Sequence, residues 1–197
     1  MSERPLHILA VASSLGEKSS TTTVLREAAL RLTTEGATVD LLDLHVEPLP
    51  LLNPETSWSA DYYALLKQRV VAADVLLLAT PDYHGSMSGG LKNFLDHFWK
   101  EFAGKLFASI VGSHEKGLTV HDQIRTVARQ CYAWSLPYGV SFSDKEDLQA
   151  GQVNSDALRA RLEMLTRDVR VYGALLAAQR RADLTGNDPG FLARYRK

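Results

Sequence analysis

Cysteine is almost missing from this chain of 197 residues, where Cys131 stands alone. No disulfide can form within the chain, which accords with a reducing compartment, and its place in an apolar helical spacing marks Cys131 as packing rather than as a redox thiol. No stretch reaches the roughly 18 consecutive apolar residues that a spanning helix needs, so no membrane insertion is expected. The opening residues MSERPLHILAVA lack the layout of a cleavable signal, and the expected location is the cytoplasm. An excess of either charge is also absent. The 22 Lys and Arg against 23 Asp and Glu leave a net charge of −1, which offers no broad attraction for nucleic acid or an anionic surface. No His, Cys, Asp or Glu grouping has the spacing of a metal site, and there is no internal repeat or low-complexity segment.

What is present reads as an ordinary globular chain, with 45% hydrophobic and 23% charged residues. The length suits one domain, expected over residues 1–180, with a basic tail over 181–197 expected to be solvated. Buried strands are predicted over 6–12, 38–44, 75–79 and 106–111, and a weaker one over 138–142. The central strand should stop at Pro81. Helical spacing links Val24, Leu25, Ala28 and Leu32, then Tyr62, Leu66 and Val70, then Leu91, Phe94, Leu95, Phe98 and Phe102. It recurs through Val120, Ile124, Val127, Ala128 and Cys131, and in a last long helix from Leu158 to Leu176, capped by Ser155. Five strands alternating with five helices imply a parallel sheet wound on both faces. The segment 144–154 reads as a polar connection.

Three loops at the carboxyl ends of these strands carry chemistry, because open α/β sheets bind ligands there. The first, residues 13–22, is rich in hydroxyls and opens a helix. Ser14, Lys18, Ser19, Ser20 and Thr21 can therefore combine side-chain donors, backbone N–H groups and the helix dipole on one dianion, such as a phosphate monoester. The bland alternative is that they are caps and turns. The second runs from Pro81 through Asp82, Tyr83, His84, Gly85 and Ser86 to Gly90, with Ser88 placed to cap the following helix. The third, 112–117, carries Ser113, His114, Glu115 and Lys116 between glycines.

The second loop, with Gly89-Gly90-Leu91-Lys92-Asn93 after it, resembles the signature of the NAD(P)H-dependent FMN reductase family, in which Pro-x-Tyr-Asn/His-x-Ser precedes Gly-x-Leu-Lys-Asn. Ser88 stands where many members carry Pro. The first loop is similar to the family's phosphate segment, Gly-Ser-x-Arg-x-x-Ser-x-Asn. Ser14 falls on its first Ser, Ser19 on its second and Thr21 on its Asn, while Gly16 replaces the Arg and leaves Lys18 as the nearest cation. The resemblance implies a flavodoxin-like, five-stranded sheet in the order 2-1-3-4-5, in which strands one and three are neighbours. A Rossmann dinucleotide domain fits less well, for the first loop lacks Gly-x-Gly-x-x-Gly. It also implies FMN as cofactor and NAD(P)H as co-substrate, with hydride passed to the flavin and electrons then to a small-molecule acceptor such as free flavin or a quinone. FMN would be held by Ser14, Lys18, Ser19, Ser20, Thr21, residues Pro81, Asp82, Tyr83, His84, Gly85 and Ser86, and Ser113 and His114, with no protein nucleophile or metal. The family resemblance suggests a homodimer or homotetramer. A non-enzymatic flavin-binding electron carrier or redox sensor stays open as the alternative, although such a carrier is expected to show a strong acidic patch.

Overall fold

Strand β1 (His7–Ala12) is the axis of the molecule. In the computed structural model, which describes residues 4–196, it pairs in parallel with β2 (Thr38–Asp43) on one side and β3 (Val75–Tyr83) on the other. β5 (Leu106–Gly112) follows β3, and the far edge is shared by two short strands, β6 (Trp134–Ser135) and β7 (Val140–Phe142), both parallel to β5. The sheet is thus the expected 2-1-3-4-5 arrangement, with its last strand broken in two. Pro137 lies at the break, where it has no N–H to give the ladder. β4 (Ser86–Met87) folds back on β3 as an antiparallel hairpin. That hairpin explains why β3 runs past Pro81, where the sequence predicted its end: Asp82 pairs with Met87 and Tyr83 with Ser86.

Side chains alternate across the sheet. Leu9, Val11, Leu76, Leu78 and Phe107 face one layer, made by α2 (Asp61–Ala72), α3 (Gly89–Asp96) and α4 (Leu118–Gln130). Ile8, Ala10, Leu77 and Ile110 face the other, made by α1 (Ser20–Thr34) and α6 (Asp156–Thr185), whose Leu25, Leu32, Leu158, Leu162 and Leu165 are buried. A sheet covered on both faces needs strands that are apolar throughout, and β3 shows it from Val75 to Ala79. Ser155 caps α6 by accepting from Leu158 N. α6 approaches the sheet closely at Gly173, where a Cβ would meet Val75 at 2.8 Å.

Three expectations change. α3 stops at Asp96, and the apolar spacing continues in a 3-10 turn, Lys100–Phe102. There Phe102 stands edge-on to Phe107 at 5.2 Å and Phe98 packs on Tyr63 at 5.7 Å, so ring packing rather than helix geometry sets those positions. The segment 144–154 holds a short helix, α5 (Asp144–Asp147), and a two-residue hairpin of β8 (Leu148–Gln149) and β9 (Gln152–Val153). The tail is largely exposed but anchored rather than frayed. α6 continues to Thr185, and the turn Phe191–Tyr195 folds back so that Phe191 stacks on Tyr132, Arg194 covers the same ring and Leu192 is buried. Cys131 is buried, and burial pushes its thiol up, as suits a packing role.

The least expected core residue is Lys105, which is 1% exposed. Its Nζ donates to the carbonyls of Val70 (2.8 Å), Val71 (3.0 Å) and Ala73 at the carboxyl end of α2, where helix carbonyls lack intrahelical partners. Burial, reinforced by the charge of Arg180, lowers its pKa to about 7 from the ordinary 10.5. The unfolded chain therefore binds more protons between those values, and folding becomes more favourable as pH rises through that window. Urea denaturation at about pH 7 and about pH 9 should show the native protein gaining stability relative to Lys105→Met at the higher pH. Equal changes in both proteins would count against a strained buried ammonium.

Candidate functional site

The carboxyl tips of β1 and β3 are tied by buried hydroxyls. Ser13 Oγ donates to the Ala79 carbonyl at 2.8 Å and lies 2.9 Å from Ser88 Oγ, which donates to the Ser13 carbonyl at 3.1 Å. Thr80 Oγ1 accepts from Ser88 N at 2.9 Å, and Ser88 Oγ accepts from Leu91 N as the cap of α3. The start of α3 is thereby pulled onto the β1 backbone. At Gly90 a Cβ would lie 2.9 Å from the Ser13 carbonyl oxygen, so only glycine fits without a shift.

This contact brings the two distant loops into one cavity of about 320 Å³. Its walls include Ser14, Lys18, Ser19, Ser20 and Thr21 from the first loop, Pro81, Asp82 and Tyr83 from the second, and Ser113 and His114 from the third. Asp82 ties two loops together by accepting from Ser113 Oγ at 3.0 Å and from Gly85 N at 2.8 Å. His84, Gly85 and Ser86 are not among the walls. His84 and Gly85 have φ of 58° and 75° and form the two-residue turn of the β3–β4 hairpin, a geometry that needs positive φ at both positions. Ser86 turns toward α4 and donates to Gln123 Oε1 at 3.1 Å.

The first loop offers donors for an anion. Ser19 Oγ caps α1 by accepting from Thr22 N, leaving its own proton to give. The N–H groups of Ser20 and Thr21 lie in the first turn, where a helix has no acceptor of its own for them. Thr21 is 4% exposed, yet its hydroxyl opens on the cavity and has no hydrogen-bond partner among the described residues. Ser14 Oγ accepts a long bond from Gly16 N at 3.4 Å and keeps a proton. These free donors, with Lys18, fit a phosphate monoester. One wall was missed from the sequence: Asp144 lines the same cavity and accepts from Ser20 Oγ at 2.6 Å. The signal was available, since Asp144 follows the last strand and every parallel strand ends at this edge.

A second cavity of about 430 Å³ shares Gly16 and Tyr83 with the first. Leu15, Leu44, Pro48, Leu49 and Leu51 make its walls mostly apolar. Its outer wall is fixed by Asn93 of α3, whose Oδ1 accepts from Leu52 N at 2.9 Å while Nδ2 donates to the Pro50 carbonyl at 2.9 Å. Tyr83, 57% exposed, stands between the two cavities. Among the described residues no cluster of His, Cys, Asp and Glu could hold a metal ion.

Comparison with known proteins agrees with this geometry. The family model for NADPH-dependent FMN reductase matches residues 6–147. An NADPH azoreductase from Bacillus sp. (strain OY1-2) is 37% identical over 123 residues, covering 60% of this chain and 68% of that protein. An FMN-dependent NADPH-azoreductase of Staphylococcus aureus is 27% identical over 146 residues, covering 70% and 77%. Among solved structures, the apo form of an NADH:FMN oxidoreductase superposes with a TM-score of 0.70 at 21% identity, covering 85% of this chain and 89% of that one.

Asp144 sets a negative charge beside the anion donors. Two unit charges about 4 Å apart interact by about 1 kcal/mol even at the dielectric constant of water. Asp144→Asn should therefore bind inorganic phosphate roughly three- to tenfold more tightly than the native protein in calorimetric titration, and unchanged affinity would mean that the carboxylate does not face the anion.

Proposed function

The chain belongs to the NADPH-dependent FMN reductase family and is an FMN-dependent NAD(P)H oxidoreductase, and from that premise we propose that FMN occupies the cavity between the first, second and third loops. The observation that carries this placement is the convergence of Ser19, Thr21 and Tyr83 on one cavity, with the Thr21 hydroxyl left free to donate. Bound there, FMN supplies the hydride-accepting and electron-donating chemistry.

The chain's own residues bind and orient. Ser14, Ser19 and Thr21 give hydroxyl donors to the phosphate, Ser20 gives its hydroxyl to Asp144 and contributes its backbone N–H with the first turn of α1, and Lys18 adds a point charge in place of a planar guanidinium fork. Pro81, Asp82 and Tyr83 from the second loop and Ser113 and His114 from the third would hold the ring end, with Asp82 keeping the two loops in register. His84, Gly85 and Ser86 contribute through the hairpin that ends in Tyr83, the turn residues acting by their backbone and Ser86 by its bond to Gln123. The apolar cavity beyond Tyr83, walled by Leu15, Leu49 and Leu51, suits the aromatic body of a small-molecule acceptor such as free flavin or a quinone.

We place the contact between copies, in a homodimer or homotetramer, on the α3–α4 face. A cavity of about 820 Å³ lies there between Met87, Lys92, Thr119 and Val127, beside the exposed Leu118. Among the described residues no helix is long and apolar enough to cross a membrane, and a cytoplasmic enzyme accords with the single buried thiol.

Purified protein should take up FMN with a perturbed flavin absorption band and oxidise NAD(P)H when a quinone or free flavin is supplied. Failure to take up FMN would overturn the placement. Thr21→Val separates binding from folding better than Ser19→Ala, because Ser19 also caps α1. Loss of a hydrogen bond to a charged phosphate is worth about 1.5–3 kcal/mol, so Thr21→Val should weaken FMN binding by roughly tenfold to a hundredfold while the apoprotein's melting temperature moves little.

A further inference from the structure

His121, in the first turns of α4, is buried, and the cofactor-binding residues described above do not use it. Its Nδ1 lies 2.8 Å from Ser109 Oγ on β5, and its Nε2 lies 3.0 Å from Ser141 Oγ on β7. Ser141 Oγ donates in turn to the Lys116 carbonyl in the third loop. The direction of each bond follows from the last one. Ser141 has spent its single proton on Lys116, so it must accept from His121, and Nε2 carries the hydrogen. The neutral ring then accepts at Nδ1 from the Ser109 hydroxyl. Burial, aided by the charge of Arg125, lowers the His121 pKa, which agrees with a neutral ring.

Space has been cleared for this chain of bonds. A Cβ at Gly139 would collide with the His121 ring and lie 2.6 Å from Ser109 Oγ, so residue 139 must be glycine while the chain is in place. At its other end the third loop has two sets of anchors among the described residues. Ser113 is held in front, by Asp82 through its side chain and by the Phe142 carbonyl through its N–H at 2.9 Å. Lys116 and Gly117 are held behind, by Ser141 and by the bond from His121 N to the Gly117 carbonyl at 3.2 Å. His114, which lines the cavity, hangs between the two.

We propose that Ser109, His121 and Ser141 form a directional hydrogen-bond relay that sets the height of the third loop, and with it His114, against the cofactor ring, so that His121 and Ser141 are positioning residues for the reaction. The proposal rests on the placement of FMN given above, but the relay itself is a property of the apoprotein and is tested there first. In the FMN-free protein, nitrogen chemical shifts of the His121 ring should report hydrogen on Nε2; hydrogen on Nδ1 would overturn the relay without any variant. Ser141→Ala should speed amide exchange at residues 114–117 about tenfold relative to β5, and Ser141→Thr, which keeps the hydroxyl, should restore it. Equal acceleration in the loop and in β5 would show a general loss of stability and sink the proposal, as would an unchanged loop. With FMN bound, Ser141→Ala should lower kcat for NAD(P)H oxidation about three- to tenfold with FMN affinity held within twofold, whereas unchanged kcat would limit the relay to the apoprotein and refute its positioning role. Failure of the native protein to bind FMN would reject the cofactor placement alone, since the ring shifts and loop exchange are read without it.

Discussion

Three buried hydroxyls, on Ser13, Thr80 and Ser88, hold the tip of β1 against the tip of β3 and the start of α3. Neighbouring parallel strands bring their carboxyl ends near one another in any doubly wound sheet, but nearness leaves the loops free to splay. The hydroxyls remove that freedom, because each buried polar group would be left without a partner if either loop moved, at about 1–3 kcal/mol for each. Gly90 is the steric counterpart of the same constraint, since the β1 backbone comes too close for a side chain. Family members that carry Pro where this chain has Ser88 would start the same helix with a preset φ and no side-chain donor. Here the hydroxyl both starts the helix and reaches across to β1, so one residue secures both loops.

Much of this was legible in the sequence, and the reasons are physical. Strands buried on both faces must be apolar throughout, so 75–79 and 106–111 announced themselves, and the hydroxyl-rich run after β1 stood at the one edge where ligands bind. The motif order placed Ser19 and Tyr83 together correctly. What could not be read was set by packing between distant segments. Phe98 and Phe102 keep helical spacing without a helix because the rings of Tyr63 and Phe107 fix them. The tail looked like a frayed arm because its charges are dense, yet Phe191 and Arg194 on Tyr132, with the buried Leu192, anchor it. His84 and Gly85 were read as loop residues facing the ligand, when their positive φ makes them the turn of a hairpin. Lys105 and His121 are polar residues whose burial depends on carbonyls and hydroxyls far away in sequence, so no local pattern reveals them.

The electrostatics of the anion site follow from two features taken together. Gly16 stands where the family pattern has Arg, and Asp144 lines the same cavity, so the site has a carboxylate and lacks the bidentate cation. Both features weaken the hold on a dianion, which shifts the burden of affinity onto neutral donors: the hydroxyls of Ser14, Ser19 and Thr21 and the first-turn N–H groups of α1. Such donors act at short range and depend on geometry, whereas a free cation attracts from several ångströms away. A site of this kind discriminates shape more than charge, because a dianion that misses the donors gains little from being there.

That dependence on geometry links the two ends of the cofactor. In the proposed placement the donors at the phosphate end are fixed by α1 and its Ser19 cap, and those at the ring end by Asp82 and the loop from Ser113 to Gly117. No protein acid, base or nucleophile is required to share the electron chemistry with a flavin, so the chain influences the reaction through where it holds the ring and which face it leaves open. Tyr83 is central to that, since it stands between the polar cavity and the apolar one and is held at the end of β3 by the hairpin to β4. A donor nicotinamide and an oxidised acceptor are both flat and largely apolar, and the walls of Leu15, Leu49 and Leu51 would suit either in turn. In the placement proposed above, the 48–51 loop and its Asn93 clamp shape the acceptor's side of the site.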